Sequence, residues 1–186
     1  MNTILKTILA TIAVLTINGC DLYEDTFDTK YRDVTYGTVL ESKVNEYKEA
    51  VLTYEEYYEF LNAIYTINDN YEYAYDIDTY GQDDYWVFVD NIDTDYFVGD
   101  CEDYALSVAS YLLTDPKFST MFKQENLQLI AGYVEDKNYK SGHLLLQINV
   151  IVDGEKKQLI LQSGSIGAFP VGTEYLYEPN YLNLSI

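Results

Sequence analysis

The chain is poor in the residue types that most often carry catalysis or cross-linking. Its 186 residues include two cysteines, one histidine, one tryptophan and three prolines. Basic residues are also scarce, because 11 lysines and arginines stand against 31 aspartates and glutamates, for a formal net charge of −20. Such a chain repels phosphate backbones and anionic headgroups, which argues against nucleic-acid binding and against the body of the protein lying on a membrane surface. The charge suits cations or basic partners, although it also serves solubility.

The N-terminus carries an apolar run from Ile8 to Ile17 behind a single cation, Lys6. The run is too short to span a bilayer, which takes about 20 apolar residues, and it predicts a signal peptide over residues 1–19. Its end, Asn18-Gly19-Cys20, resembles the lipobox of bacterial lipoproteins, in which cleavage before the cysteine exposes Cys20 for lipidation. The alternative is an ordinary cleaved signal that leaves Cys20 behind.

Lipid on Cys20 would hold the protein on the periplasmic side of a membrane of the cell envelope, without a transmembrane helix. Asp21 follows directly and favours the inner membrane. The acidic composition of residues 20–37 predicts a tether. Residues 38–186 are long enough for one domain with a hydrophobic core, to which the 21 tyrosines of the chain can contribute buried area. With Cys20 committed to lipid, Cys101 has no disulfide partner within the chain.

Three helices are predicted before a run of strands. They are Val39 to Leu52, Thr53 to about Tyr65 behind a capping box of Thr53 and Glu56, and a helix capped by Asp100 that ends before Pro116. Residues 68–98 are rich in Asp, Tyr and Gly, and we interpret them as loops with short helical turns. The strands are Leu127 to Val134, His143 to Val152 and Glu155 to Gln162, the last two joined by an Asp153-Gly154 hairpin turn. Helices followed by an antiparallel sheet predict an α+β fold.

Cys101 and His143 are the candidates for a catalytic pair. Cys101 begins the third predicted helix, whose dipole favours a thiolate, whereas the three carboxylates around it oppose one. His143 is the only histidine of the chain and begins a strand. Cysteine catalysis needs a base within hydrogen-bond reach of the sulfur, and the chain offers one candidate for each role. The alternative is that Cys101 is a small buried apolar residue.

Gln162 is the candidate for the residue that orients His143. If Asp153 and Gly154 form the hairpin loop, Leu145 pairs with Gln162 and Gly164 pairs with His143, so that Gln162 lies on the face of His143. A glutamine carbonyl accepts a hydrogen bond from imidazole but cannot stabilise imidazolium by charge. The alternative is that Gln162 is an ordinary polar strand residue.

The run "GDCEDYA", from Gly99 to Ala105, closes a segment beginning at Asn68 that resembles the bacterial transglutaminase-like cysteine peptidases. The resemblance is carried by Asn68, Tyr75, Asp76, Gly81, Asp84, Trp86 and the run from Gly99 to Ala105, "GDCEDYA", which includes Asp103, and by the later "SGHLLLQINV". It implies a papain-like fold with Cys101 as the nucleophile and His143 as the general base. The family usually has an aspartate at the third position, where this chain has Gln162.

The same resemblance implies calcium, held by the acids that flank the cysteine, Asp100 and Glu102. Hard carboxylate oxygens suit Ca²⁺, and a bound cation would neutralise charges that oppose thiolate formation. From the residues alone, Asp100 caps the helix while Glu102 and Asp103 complement its dipole, and both roles are compatible.

The sequence therefore predicts a membrane-tethered, calcium-dependent cysteine peptidase that acts on a protein or peptide outside the cytoplasm, a surface adhesin being one candidate by analogy. Two alternatives stay open. The chain is a peptidase-like protein that binds its partner without cutting it, as the neutral Gln162 would favour, or it transfers acyl groups to amines, as transglutaminases do.

Overall fold

The computed structural model describes residues 31–33, 39–41, 47–136 and 139–184. The predicted signal peptide, Cys20 and Asp21 lie outside the described residues, as does most of the predicted tether. Among the helices of the described part, none is long and apolar enough to cross a membrane.

The order of elements confirms the α+β class. The helices of the described part are α1 Tyr54–Asp69, α2 Asp76–Thr79, α3 Cys101–Thr114 and α4 Phe118–Met121, with a 3₁₀ turn at Gln124–Asn126. The strands are β1 Tyr31–Asp33, β2 Val39–Glu41, β3 Ala50–Leu52, β4 Tyr71–Tyr73, β5 Val87–Val89, β6 Phe97–Gly99, β7 Leu127–Asp136, β8 Tyr139–Val152, β9 Glu155–Gln162, β10 Ser165–Phe169 and β11 Tyr177–Leu184.

One seven-stranded sheet forms the main layer of the domain. Its antiparallel order is β10-β9-β8-β7-β11-β2, and β3 pairs in parallel with the end of β8. Strands β1 and β5 form one two-stranded pair, and β4 and β6 form another. Because β7 pairs with β8 only as far as Ile148, β3 completes the same edge of β8 from Val150 onward.

Helix α1 confirms the predicted capping box. The Thr53 side chain accepts from the Glu56 amide, and the Glu56 carboxylate accepts from the Thr53 amide. Phe60, Ile64 and Ile67 form the buried stripe of the helix. The helix continues to Asp69, one turn beyond the predicted end at Tyr65.

The predicted helix from Val39 to Leu52 is wrong. Its ends are strands, β2 and β3, and residues 42–46 between them lie outside the described part. In β3 the buried Ala50 and Leu52 flank Val51, which is 75% exposed. That alternation of buried and exposed residues has a period of two, as in a strand. Three residues are too few for the sequence to show such a period, and the pairing with β8 decides the conformation.

Helix α3 confirms the prediction at both ends. Asp100 is its N-cap and accepts from the Glu102 amide, and the helix ends before Pro116. Every residue from Cys101 to Ser110 is buried, so the helix is enclosed on all sides rather than on one stripe. Gly99 leaves room for the first turn of the helix, because a Cβ on residue 99 would lie 2.6 Å from the Cβ of Asp103.

The hairpin of β8 and β9 confirms the predicted turn and register. Leu146 pairs with Leu161, and Val152 pairs with Glu155 across the turn at Asp153 and Gly154. Both turn residues have positive φ, 48° and 85°, as a two-residue hairpin loop requires. The even-numbered Leu144 and Leu146 of β8 enter the main core beside α3, whereas Leu145 packs on the opposite face.

Residues 68–98 contain more regular structure than predicted. The expected short helical turn is present as α2, but β4, β5 and β6 also form there, each three residues long. Strands of that length are too short for a hydrophobic alternation to appear in the sequence.

Candidate active site

Cys101 and His143 line one groove of about 400 Å³, between the start of α3 and the start of β8. Its other lining residues are mostly acids and aromatic residues, among them Asp76, Asp83, Asp84, Asp100, Glu102, Tyr73, Tyr75, Tyr133 and Trp86. A second cavity shares Tyr133 and His143 with this groove and continues to Gln162, Tyr175 and Tyr177. The two predicted catalytic residues therefore meet in a continuous depression.

The Cys101 thiol lies in surroundings that hold it protonated. It is 7% exposed and donates to Oε2 of Glu102 at 2.9 Å. Burial raises the pKa of the Cys101 thiol well above its ordinary range, and the Glu102 carboxylate raises it further. The Leu144 amide acts in the opposite direction by hydrogen bonding to the sulfur. Burial, and after it the neighbouring carboxylates, thus outweigh at this cysteine the groups that favour a thiolate.

The acids around Cys101 are themselves removed from water. Burial raises the pKa of Glu102 to about 8, that of Asp103 to about 7 and that of Asp76 to about 6. Burial also raises the pKa of Asp100. The described residues that line the groove include no lysine or arginine. Buried carboxylates without such a partner either retain protons or bind a cation.

Two overlapping groups of these side chains have the spacing of a metal site. Asp100, Cys101 and Glu102 form one group, and Asp76, Asp100 and Asp103 form the other, with candidate ligand atoms within 4.8 Å of one another in each. Asp103 has partners for both oxygens, since it accepts from the Val87 amide at 2.9 Å and from the Tyr80 hydroxyl at 2.8 Å.

Asp76 differs from Asp103 because one of its oxygens is free. Its Oδ2 accepts from the Tyr85 amide, whereas its buried Oδ1 has no hydrogen-bond partner. An unpaired carboxylate oxygen that is removed from water is costly unless a proton or a cation satisfies it. Asp76 is therefore a candidate ligand beside the predicted Asp100 and Glu102.

Four further residues of the quoted motif lie at the groove or next to its lining residues. Trp86 Nε1 donates to Oδ1 of Asp84 at 2.9 Å, and Asp84 has a φ of 57°. Gly99 and Asp103 stand behind the groove, where the small residue makes room for the buried one. These four residues shape the site without contacting the Cys101 sulfur in the hydrogen bonds described above.

His143 and Gln162 are hydrogen bonded, as the register predicts. His143 Nε2 lies 3.0 Å from Gln162 Oε1, and Gln162 Nε2 donates to the Tyr175 hydroxyl at 2.9 Å. The predicted pairing of Gly164 with His143 is wrong. Strand β9 ends at Gln162, and the chain turns at Ser163 and Gly164, so that Ser165 pairs back with Gln162.

The two halves of the site have separate partners in this structure. Cys101 bonds to Glu102 on α3, whereas His143 bonds to Gln162 on the hairpin. Because residues alternate along β8, His143 shares the face of Leu145 and not that of Leu144, whose amide contacts the sulfur. The thiol and the imidazole therefore share a groove without sharing a hydrogen bond among the described contacts.

Tyr71 joins these two halves. Its hydroxyl lies 3.0 Å from the carbonyl oxygens of both Gly99 and Asp100, just before the cysteine. Its ring lies against Gly164, where an added Cβ would come within 2.9 Å of it. Gly164 also has a φ of 77°, so the turn after Gln162 needs glycine for its backbone and for this contact.

Two residues of the site do not follow from sequence reasoning about function. Asp76 belongs to the quoted motif, but its free oxygen depends on how α2 meets the Tyr85 amide. Tyr175 lies in the loop between β10 and β11, and neither strand was predicted. The Ser163-Gly164 dipeptide, a frequent turn signal, could have indicated the end of β9 and the start of β10.

Comparison with known proteins gives no match to a protein family, to a curated protein or to a solved structure.

Proposed function

We propose that this protein is a calcium-dependent cysteine peptidase, held in the cell envelope by lipid on Cys20 and acting on a protein or peptide. The observation that carries the proposal is one groove that contains the only histidine of the chain and a helix-initiating cysteine. A hydrogen-bonded orienter behind that histidine, Gln162, supports it. The resemblance of the segment around Cys101 to transglutaminase-like cysteine peptidases points in the same direction.

We propose further that the α+β domain is papain-like or transglutaminase-like. A cysteine at the start of a helix packed on an antiparallel sheet that carries the histidine is the arrangement expected of a papain-like or transglutaminase-like domain. Helix α3 packs beside β8 and begins with Cys101, which supports that assignment.

In the proposed reaction, His143 takes the thiol proton and Cys101 Sγ adds to the carbonyl carbon of the scissile peptide bond. The C–N bond then breaks, His143 gives the proton to the leaving amine, and a thioester remains on Cys101. Water attacks that thioester while His143 takes its proton, the C–S bond breaks, and the free thiol returns. Gln162 holds the imidazole by accepting from Nε2, as a neutral amide does.

Calcium is the cation that we propose for these acids. Asp100, Glu102 and Asp76 would supply carboxylate oxygens, with Asp100 shared by the group that contains Glu102 and the group that contains Asp76. The unpartnered Oδ1 of Asp76 is the observation that favours a cation over a purely structural cluster. When bound, Ca²⁺ supplies positive charge that favours ionised carboxylates and, through them, a thiolate. Glu102 engaged in this way would no longer accept from the Cys101 thiol, which would leave the thiol proton to His143.

The lining of the groove supports an extended, neutral or basic peptide as the substrate. Its walls are tyrosines and carboxylates, with Tyr73 and Tyr75 stacked edge to face at 5.4 Å. Aromatic rings bind peptide groups and apolar side chains, and the carboxylates repel acidic segments. A surface adhesin remains a candidate by analogy alone.

A second candidate function is peptide binding without cleavage. The observation that favours it is the bond from the Cys101 thiol to Glu102, together with the neutral Gln162 behind His143. In that case the same groove would bind the partner, and Cys101 would serve as a buried small residue.

The reactivity of Cys101 toward iodoacetamide separates these functions. Mass spectrometry of single peptides distinguishes the labelling of Cys101 from that of Cys20. We expect Cys101 to react faster in 1 mM calcium, on the order of tenfold, than in chelator. His143→Ala should remove most of that gain, while Glu56→Gln on the exposed start of α1 should leave it intact. Equal rates in calcium and chelator would contradict the peptidase proposal and favour the binding protein.

A further inference from the structure

The amide of Gln162 is held at both ends. Its Oε1 lies 3.0 Å from His143 Nε2, and its Nε2 donates to the Tyr175 hydroxyl at 2.9 Å. Gln162 itself is the last residue of β9 and is only half-buried. Without a second partner, its long side chain would exchange between rotamers, and its amide would exchange hydrogen bonds with water molecules.

A neutral orienter needs this second bond more than a carboxylate does. A carboxylate has two equivalent acceptor oxygens and attracts a protonated ring by charge at any rotation. An amide has one acceptor and no net charge, so it supports imidazolium only with its oxygen toward the ring. In that orientation the NH₂ group points away from His143, and the Tyr175 oxygen lies where it can accept.

The loop that carries Tyr175 is fixed on the side before it. Gln158, which is 2% exposed, donates to the Thr173 carbonyl at 2.7 Å and accepts from the Gly172 amide at 2.8 Å. The Tyr175 ring also packs on Phe169, with ring centroids 5.4 Å apart. The buried amide of Gln158 thus ties the loop to β9, four residues before Gln162.

The loop is also fixed on the side after Tyr175. Leu176 is buried with Ile130, Leu145 and Ile160 on the outer face of the sheet. It crosses directly over Gly132, which pairs with His143, and a Cβ on Gly132 would lie 2.8 Å from the Leu176 Cβ. The loop is therefore held on both sides of Tyr175, at Gly172 and Thr173 by β9 and at Leu176 by β7, β8 and β9.

We propose that Tyr175 is a positioning residue that holds the Gln162 amide as the hydrogen-bond acceptor of His143. The chain has an uncharged orienter, and Tyr175 supplies through geometry part of what a carboxylate would supply through charge. The consequence for Cys101 reactivity rests on the proposed function, whereas the consequence for the His143 hydrogen bond does not.

The test compares Tyr175→Phe in two backgrounds, the natural chain and Gln162→Glu. Because His143 is the only histidine, its ring N–H signals in ¹⁵N-labelled full-length protein are unambiguous. We expect Tyr175→Phe to speed solvent exchange of the Nε2 proton about fivefold, the factor that corresponds to losing one ordinary hydrogen bond. In the Gln162→Glu background the same change should have less than a twofold effect, since a carboxylate accepts in either orientation.

Tyr177→Phe is the matched control. Tyr177 lines the same cavity, but its ring lies under Lys140 Nζ, 4.5 Å from the ring centroid, and not at Gln162. In the Tyr177→Phe variant, the His143 Nε2 proton should therefore exchange at the rate of the natural chain. With calcium saturating, Tyr175→Phe should slow the alkylation of Cys101 in the natural chain and should change it less in the Gln162→Glu background. Thermal midpoints are recorded for all variants, so that rates are compared only where each variant is folded.

Equal acceleration of exchange in both backgrounds would show that Tyr175 only stabilises the loop, and would overturn the proposal. No acceleration in either background would overturn it as well. If exchange responds as expected while alkylation of Cys101 does not, Tyr175 still positions Gln162 and His143, and the peptidase function is what fails.

Discussion

Helices α1 and α3 begin with similar sequences, but the acids of their first turns lie in opposite electrostatic environments. Each has a capping oxygen followed by two acids in its first turn, Glu55 and Glu56 in α1 and Glu102 and Asp103 in α3. A hydrogen bond from the Thr53 amide lowers the pKa of Glu56, whereas burial raises the pKa of Glu102 to about 8. The same local pattern is thus a solvated helix start in one case and a cluster of buried acids in the other.

The difference comes from what surrounds each helix. α1 presents one buried stripe and leaves its acids in water, while the first ten residues of α3 are all buried under strands and loops. Acids in a first turn are therefore not a functional signal by themselves. They become one where the fold removes them from water without supplying cations.

Side-chain truncation should give the largest difference between the helices, measured as the loss of unfolding free energy. Leu106→Ala in α3 removes a fully buried side chain and should cost about 2–5 kcal/mol of unfolding free energy. Tyr65→Ala on α1, at a residue that is 55% exposed, should stay within about 0.5 kcal/mol. Urea denaturation measures both, and similar costs would mean that α3 is less enclosed than described.

Calcium should act on α3 and leave α1 unaffected. With a dissociation constant of about 10 µM, 1 mM calcium would stabilise the fold by about 2.7 kcal/mol. Glu102→Gln or Asp76→Asn should remove most of that gain, because each takes away a candidate ligand charge. Thermal melts in calcium and in chelator measure the shift.

Glu56→Gln is the control for calcium binding, since glutamine keeps the capping box and only the charge is lost. Its calcium response should equal that of the natural chain. Equal melting midpoints of the natural chain with and without calcium would rule out the proposed ion.

In chelator, the buried acids should make the protein less stable as pH rises. Their folded-state pKa values of about 6, 7 and 8 for Asp76, Asp103 and Glu102 exceed those of unfolded acids. The protonated forms therefore favour folding, and that contribution is full below about pH 4, near the unfolded pKa values, and is lost as pH rises to about 8. The slope approaches about 1.4 kcal/mol per pH unit for each proton released.

Asp103→Asn should flatten this pH dependence, because an amide keeps hydrogen bonding near Val87 and Tyr80 without titrating. Unfolding free energies at pH 5, 6.5 and 8 provide the comparison. A natural chain that gains stability over this range in chelator would contradict the buried-acid description.

Removal of the α1 cap should have the smallest effect. Thr53→Ala deletes the side-chain acceptor for the Glu56 amide and should cost about 1 kcal/mol, whereas Thr53→Ser should cost much less. Neither change should alter the calcium response. An altered response would mean that the two helix starts are energetically coupled.

Sequence reasoning succeeded where signals were long or chemically distinctive. The two-residue turn at Asp153 and Gly154 set the register of β8 and β9, and that register placed Gln162 beside His143. Asp100 and Pro116 bounded α3 correctly because caps and prolines act locally. Such features are decided by residues adjacent in the chain.

It failed where tertiary contacts decide. Strand β3 and the three strands within residues 68–98 are three residues long and depend on partners far along the chain, such as β8 for β3. The free Oδ1 of Asp76 and the bond from Tyr175 to Gln162 arise only when distant segments meet. The burial of the α3 acids likewise depends on what covers them.

Tyr71 ties the loop before Cys101 to the turn after Gln162, and this has a consequence for local unfolding. Its hydroxyl lies at the carbonyls of Gly99 and Asp100 while its ring covers Gly164, so neither segment can separate from the other without losing this contact. The start of α3 and the end of the β9 hairpin should therefore belong to one cooperative unit in native-state hydrogen exchange. An opening fluctuation would then separate the proposed nucleophile and its proposed base together, so that a partly opened molecule carries no exposed thiol beside an oriented histidine.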